Sequence, residues 1–261
     1  MIAIQTTSKG TGESVLSVSE YPIGMPLYRE IKRKIAESIH AGEWRPGEAL
    51  PSEKKLAERF GVSMGTLRKA VDDLVAKGAL IRQQGRGTFI ATHGKDRYLF
   101  SFFHIVPHEG RKTYPHVELL EFAKVKASAE AVKFLGVAAG SRVISIVNSL
   151  SLDNQLVIVD EIFLPDSIFP DLSKKILQER EGTLYQLYQE KFGVTVVRTD
   201  EHLRAVKADA YKANLLGLRI GDPLLLVIRV ARSINKQAVE LRHSYINTTH
   251  YEYYAELMGS I

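Results

Sequence analysis

The chain has 261 residues, of which 45% are apolar and 25% charged, so it is long enough to form two domains with separate cores. It contains no cysteine, which excludes disulfides and thiolate metal sites. No stretch is long and apolar enough to predict a membrane span, and the N-terminus lacks the basic-then-apolar pattern of a signal peptide. We therefore expect a cytoplasmic two-domain protein with no membrane partner.

The positive charge is concentrated in the N-terminal third. Residues 21–93 contain 13 Lys and Arg against 8 Asp and Glu, a net charge of +5, whereas residues 94–261 carry only +1. Residues 1–20 are rich in Ser, Thr and Gly, which predicts a poorly ordered tail. A small basic module of this kind indicates phosphate contacts and therefore a nucleic-acid partner.

Two short amphipathic segments within this module predict a helix-turn-helix. Ser52 precedes apolar residues at helical spacing that end at Gly61, and Ser63 can cap a second helix. The second helix of such a unit enters the DNA major groove. Apolar residues at this spacing are core residues in any helical protein, so the polar residues and the order of elements indicate the function.

A short hairpin is predicted directly after the second helix. Leu80–Gln83 and Thr88–Ala91 have strand-like patterns and are joined by Gln84-Gly85-Arg86-Gly87, a glycine-rich connection with a basic tip. A hairpin in this position is the wing of a winged helix.

The segment Pro26–Ala91 resembles the winged-helix domain of the GntR family of bacterial transcription regulators. The resemblance extends over PLYREIKRKIAESIHAGEWRPGEALPSEKKLAERFGVSMGTLRKAV and over the wing QQGRGTFI. It implies that a first helix, at about Leu27–Ala41, packs beneath the other two. It also implies that double-stranded operator DNA is the partner.

Carried over residue by residue, the resemblance implies three groups of DNA contacts. They are backbone contacts from Ser52 and Lys54, recognition-helix contacts from Met64, Gly65, Thr66 and Arg68, and a minor-groove contact from Gln84, Gly85 and Arg86. Many relatives have arginine at the position of Met64, and methionine cannot pair bidentately with guanine, so we expect a different operator. Arg68 either contacts DNA or is a solvated charge on the helix face.

A polar break at His93–Arg97 separates this module from a second region of strands and a few helices. We take 21–93 as the DNA-binding domain, 94–97 as a linker and 98–261 as the second domain. The elements predicted there are a hairpin at Arg142–Leu152 and Gln155–Leu164, helices at Thr183–Phe192 and Asp209–Leu216, and a hairpin at Leu224–Arg232 and Ala238–Ile246.

Most of residues 98–257 resembles the UTRA effector-binding domain of the HutC subfamily. The matching features are DEIFLP, TLYQLYQEKFG, the following Glu201, the Gly221–Leu224 turn and the strand from Glu240 to Tyr251. The resemblance implies a chorismate-lyase-like α+β fold and a small-molecule effector. The whole chain is then α+β, a winged helix-turn-helix followed by a UTRA domain. The implied function is a homodimeric repressor that a metabolite releases from its operator.

The resemblance places five residues in the effector pocket of the family: Ser149, Ser151, Glu161, Thr183 and Glu240. Two arginines are added from the strand pattern, because Arg242 shares a strand face with Glu240 and Arg229 lies on the preceding strand. Relatives that sense sugar phosphates have an Arg-x-Arg pair where we align Ser149 and Ser151. Serine supplies no charge, so we favour a carboxylate effector over a sugar phosphate. Arg229 and Arg242 can meet a carboxylate ligand or form structural ion pairs.

The face of the sheet on which the acidic residue lies depends on one turn. If Asp153-Asn154 is a two-residue turn, Ser149 shares its face with Asp160, and with a three-residue loop it shares its face with Glu161. The resemblance favours Glu161.

Patterns typical of enzymes are weak. Ser52-Glu53-Lys54-Lys55 fits Ser-x-x-Lys, but its serine stands where a helix cap belongs, and no complete dinucleotide-binding glycine loop is present. His104, His108 and His116 match no strong metal-ligand spacing. We expect no catalytic residue, cofactor or metal. The alternative is a chorismate-lyase-like enzyme fused to a DNA-binding module, which turnover of a candidate ligand would reveal.

Overall fold

The computed structural model describes residues 26–255, so the predicted tail at 1–20 lies outside the described residues. The N-terminal module consists of α1 (Leu27–His40), α2 (Glu53–Phe60), α3 (Met64–Ala76), β1 (Leu80–Gln83) and β2 (Gly87–Ile90). The strands β1 and β2 pair antiparallel and form the wing. The elements are those of a winged helix-turn-helix.

Local capping explains where the two short helices begin and end. The Ser52 hydroxyl accepts a hydrogen bond from the Lys55 amide, and the Ser63 hydroxyl accepts one from the Thr66 amide. Between them Gly61 has a φ of 63°, in the left-handed region that a helix C-terminus favours. Side chains from all three helices and from the wing bury one another, among them Ile31, Ile35, Leu56, Leu67, Leu80 and Ile90.

The C-terminal region is built on one antiparallel sheet with the strand order β4-β5-β6-β9-β8-β7. The strands are β4 (His116–Lys126), β5 (Arg142–Leu152), β6 (Gln155–Pro165), β7 (Val196–Lys207), β8 (Pro223–Ser233) and β9 (Ala238–Ile246). The short strands β3 (Ile105–Pro107) and β10 (Tyr251–Tyr253) pair separately. The helices are α4 (Lys95–Ser101), α5 (Ala129–Leu135), α6 (Lys174–Gln178), α7 (Leu184–Phe192) and α8 (Ala210–Leu216).

Helices cover both faces of this sheet. We call the face that packs against α4, α6 and α7 the inner face; its core includes Tyr98, Leu177 and Tyr185. The outer face packs against α5 and α8, through residues such as Leu135 and Leu216. Because neighbouring residues of a strand point to opposite faces, the pairing register decides which face each predicted site residue occupies.

The β5–β6 hairpin combines a tight turn with a register shift. Asp153 and Asn154 have φ values of 49° and 63°, and Leu152 pairs with Gln155, so the turn has two residues. A shift between Leu150 and Ser151 leaves one extra residue on β6, and Val147 then pairs with Glu161. Glu161 therefore shares the face of Ser149 although the turn is short, because the bulge reverses the alternation.

The N-terminal module contacts α7 and α4 directly. The Thr183 hydroxyl donates to the His93 carbonyl at 2.9 Å, and the Gln189 side chain donates to the Ala91 carbonyl at 2.8 Å. Arg97 of α4 donates to the carbonyl of Gly78, in the turn between α3 and the wing. The helix α4 begins at Lys95, inside the segment expected to be a linker. The proposed domain boundaries stay a prediction.

Candidate functional site

The residues expected to read DNA lie at the exposed start of α3. Met64 is 39% exposed, and Gly65 and Arg68 are exposed as well, while Thr66 is half-buried beside its cap. Arg68 is held by an ion pair, with its Nε 3.1 Å from Glu53 of α2. Exposed pairs of this kind contribute at most about 1 kcal/mol, so a phosphate or a base can take the place of Glu53.

The start of α2 and the wing tip face one groove of about 570 Å³. Ser52, Gln84, Gly85 and Arg86 line it, and all four are exposed. The Ser52 hydroxyl is already the cap of α2, 3.4 Å from the Lys55 amide, so any phosphate contact shares an oxygen that the helix uses. Lys54, the second residue of α2, is exposed.

The wing tip has a backbone conformation that favours glycine. Gly85 has a φ of 73°, and a Cβ placed there would meet nothing within 4 Å, so the constraint is conformational. The Arg86 guanidinium lies 5.6 Å from the centre of the Phe89 ring. Arg82, which the sequence did not single out, is exposed on β1 and pairs with Glu53 and Asp72.

The inner face of the sheet contains a buried charge network centred on Arg242. Its Nε and Nη2 donate to the two oxygens of Glu240 at 2.9 and 3.1 Å, and its Nη1 donates to Asp160 at 2.9 Å. The same Nη1 lies 3.2 Å from the Tyr98 hydroxyl. Bidentate pairing of this kind satisfies a buried guanidinium well.

Two tyrosines of α7 complete the coordination of Glu240. Tyr185 and Tyr188 donate to its carboxylate at 3.1 and 2.8 Å, and both phenols are fully buried. Burial raises the pKa of each phenol above its ordinary value, and the neighbouring Glu240 adds to the rise. Burial also raises the pKa of Asp160, although Arg242 opposes it and Ser244 donates to that carboxylate at 2.6 Å.

A second buried arginine lies beside this network. The Arg229 Nε is 2.5 Å from Glu201, and the guanidinium also donates to the Phe102 carbonyl. Tyr253 donates to the same Glu201. The cavity between the two arginines has a volume of about 20 Å³. That volume accommodates about one water molecule, so the inner face is closed in this conformation.

The seven residues predicted for the effector pocket lie in three separate parts of the structure. Arg229, Glu240 and Arg242 lie together on the inner face, whereas Ser149, Ser151 and Glu161 lie on the outer face. Glu161 there pairs with Lys212 of α8 at 3.0 Å. Thr183 caps α7 and bonds the His93 carbonyl, at the junction with the N-terminal module.

Four residues of the inner-face network were missed by the sequence reasoning, namely Tyr98, Tyr185, Tyr188 and Ser244. Asp160 was left open there as the alternative to Glu161, and Glu201 was noted only as a feature of the resemblance. Tyr185 and Tyr188 are spaced i, i+3, so they lie on one side of α7, but that spacing is also ordinary core spacing. Asp160 and Ser244 could have been found from strand alternation only with the correct register.

The described part of the chain contains neither a metal-binding cluster nor a membrane-spanning helix. No group of three or more His, Asp and Glu residues between 26 and 255 is arranged to hold a metal ion. In the same range no helix is long and apolar enough to span a bilayer.

Comparison with known proteins gives the same two-part division. The family of bacterial regulatory proteins named gntR matches residues 27–90, and the UTRA domain family matches residues 109–252. The probable fructoselysine utilization operon transcriptional repressor of Escherichia coli is 30% identical over 218 residues, covering 82% of this chain and 88% of that protein. The histidine utilization repressor of Klebsiella aerogenes is 29% identical, covering 78% and 83%.

Among solved structures, the C-terminal region is similar to the ligand-binding domain of a protein described as a GntR-family transcriptional regulator from Bordetella bronchiseptica. The identity is 34% and the TM-score 0.58, over 60% of this chain and 98% of that one. The UTRA match alone spans more than half of the sequence, and the named relatives are transcriptional repressors. The chain belongs to the gntR family of bacterial regulatory proteins, with a winged-helix DNA-binding domain followed by a UTRA domain.

Proposed function

We propose that this protein is a repressor that binds operator DNA as a homodimer and leaves it when a small molecule occupies the UTRA domain. Two winged helices related by a twofold axis would meet half-sites about one helical turn apart. The observation that carries the DNA-binding part is the shared groove between α2 and the wing, lined by Ser52, Gln84 and Arg86. Relatives named as repressors support the direction of regulation.

The inner face of the sheet is the part of the UTRA domain best placed to control the DNA-binding module. Its network is held by Tyr185 and Tyr188, on the same helix whose Thr183 and Gln189 bond the carbonyls of His93 and Ala91. A ligand that binds beside this network and shifts α7 changes the support of the segment that follows the wing. The shift in DNA affinity is limited to the ligand's differential affinity for the two states.

The roles of individual residues in DNA binding can be separated by salt dependence. The operator is first selected from a random DNA library with the full-length protein. Arg86→Ala should weaken binding to operator and random DNA alike and lower the log–log salt slope by about one, because one phosphate contact is lost. Arg68→Ala should weaken operator binding more than random binding.

Arg219→Ala is the matched control, since its side chain is 91% exposed and lies in the turn after α8. We expect it to change neither affinity nor salt slope. Equal losses on both DNAs for Arg68→Ala and Arg86→Ala would contradict the division into a reading helix and a positioning wing. Failure to select any DNA sequence would contradict the function itself.

An enzymatic function lacks support from these observations. The two arginines of the inner face are bonded to carboxylates, and the relatives named above are repressors. Turnover of an effector by the purified protein would reverse this conclusion.

A further inference from the structure

A second, larger concavity lies next to the closed inner face. This cleft, of about 690 Å³, is bounded by the start of α4, the start of β4 and the loop between α6 and α7. Lys95, Tyr114, Leu119 and Arg180 are among its lining residues. The Tyr114 ring packs edge-on against Tyr98 at 5.9 Å, so one aromatic pair separates the cleft from the network around Arg242.

Arg180 is the one arginine of this cleft, and its charge has no counterion in the described structure. It is half-buried and donates to the Leu177 carbonyl, and no carboxylate between residues 26 and 255 lies within ion-pair distance of it. Burial lowers the pKa of Arg180, whose guanidinium nevertheless stays charged at neutral pH. A desolvated cation without a counterion is costly, and an anion would offset that cost.

Among the other charged residues that line the cleft, one is positive and two are negative. Lys95 is exposed, lies with its Nζ 5.4 Å from the centre of the Tyr114 ring and has no carboxylate partner in residues 26–255. Glu118 and Glu181 also line the cleft, but both are exposed and form no ion pair there. Solvent screens exposed charges far more than the half-buried guanidinium, so Arg180 dominates the local preference.

The arginines of the inner face are not available for the same task. Arg242 is bonded to Glu240 and Asp160, and Arg229 is bonded to Glu201. An anion that reached either arginine would displace a carboxylate and leave it buried without a partner, which is strongly unfavourable. Both arginines form the ion pairs that the sequence left open as the alternative to a carboxylate ligand, which leaves Arg180 as the arginine available to an anion.

One buried polar atom on the strand next to the cleft also lacks a partner. The side-chain oxygen of Asn148 is buried with no hydrogen bond, and Asn148 pairs with Leu119, a cleft-lining residue on the neighbouring strand. Both side chains lie on the inner face. A buried polar atom of this kind usually has a partner, and a polar group of a bound molecule can supply it.

We propose that the cleft between α4, β4 and the α6–α7 loop binds the negatively charged group of a small acidic effector, with Arg180 as its main counterion and Lys95 as a secondary one. This inference rests on the proposed function and specifies the charge of its effector. Carboxylates and phosphates share this negative charge, and a test with both anions distinguishes the two classes of effector.

The test uses the full-length protein with succinate and inorganic phosphate as probes, each at an ionic strength matched with sodium chloride. Thermal unfolding and titration calorimetry should show saturable stabilisation by at least one probe. Arg180→Gln should weaken that binding by about 30-fold or more, because a charge-assisted contact is lost. Lys95→Gln should weaken it less. Arg180→Lys, which keeps the charge but not the planar fork, should retain part of the affinity.

Arg219→Gln is the control for removal of a positive charge and should bind the probes like the unchanged protein. The absence of saturable stabilisation by either probe would overturn the inference. Stabilisation that Arg180→Gln leaves intact would overturn it as well, because the anion would then bind elsewhere. DNA binding by Arg180→Gln should be unchanged without the probe. If the protein without any substitution failed to bind DNA at all, that result would instead count against the proposed function.

Discussion

Removal of the Glu240 carboxylate should destabilise the UTRA domain more than any surface substitution. Glu240 is 0% exposed and accepts four hydrogen bonds, two from Arg242 and one each from Tyr185 and Tyr188. Glu240→Ala leaves two phenols without an acceptor and Arg242 with Asp160 as its only ion-pair partner. Breaking a buried ion pair from one side typically costs about 3–5 kcal/mol in the free energy of unfolding.

For a domain of this size, that loss corresponds to a fall in Tm of roughly 6–20 °C. Thermal and urea unfolding of the full-length protein measure it. Glu240→Gln keeps an acceptor but not the charge, and should lie between Glu240→Ala and the unchanged protein. Glu179→Ala is the control, since Glu179 is 65% exposed and 3.8 Å from Lys175, and should change stability by less than about 0.5 kcal/mol. A loss below about 1 kcal/mol for Glu240→Ala would refute the central role of this carboxylate.

Two further predictions concern His93 and the recognition helix. Burial lowers the pKa of His93 to about 3 from an ordinary 6.5, so between these pH values the unfolded chain binds a proton that the folded chain does not. The contribution of neutral His93 to stability is therefore complete above pH 6.5. It is lost as the pH falls towards 3, by up to about 1.4 kcal/mol per pH unit. His93→Phe should flatten the dependence of the unfolding free energy on pH in this range, and an unchanged slope would contradict the assignment. Met64→Arg should add a preference of about 1–3 kcal/mol for guanine at one position of each half-site, because arginine pairs bidentately with that base. Selection of operators by both proteins from one DNA library measures this preference, and identical selected sequences would show that residue 64 does not read a base.

The local elements of the fold could be predicted because their signals are local. Ser52, Ser63 and Thr183 each cap a helix within three residues of their own position, and the glycines that end α2 and α7 adopt the left-handed conformation. The Asp153-Asn154 turn was recognised for the same reason. Such features depend on a few neighbouring residues, which a single sequence contains in full.

The residues of the candidate effector site could not be brought together from such local signals. A single bulge beside Ser151 decides which residues of β6 face α7, and nothing in the local pattern marks it. Tyr185 and Tyr188 meet Glu240 across 55 and 52 positions of sequence, a pairing set by the stacking of a helix on the sheet. The residues proposed to contact DNA were easier to bring together, because they belong to one compact module in which the sequence order nearly fixes the arrangement.

The helix α7 also joins the two modules of the molecule. Its cap bonds the His93 carbonyl, Gln189 bonds the Ala91 carbonyl, and the carbonyl of Gly193 at its end lies 3.1 Å from the His40 ring. Local opening of α7 should therefore break contacts in both domains at once, so we expect the helix to form one cooperative unit with the segment from Ala91 to His93. The backbone amide hydrogens of α7 should exchange with solvent at the rate at which that larger unit opens. The amides at the end of α1 should lose their protection against exchange in the same event.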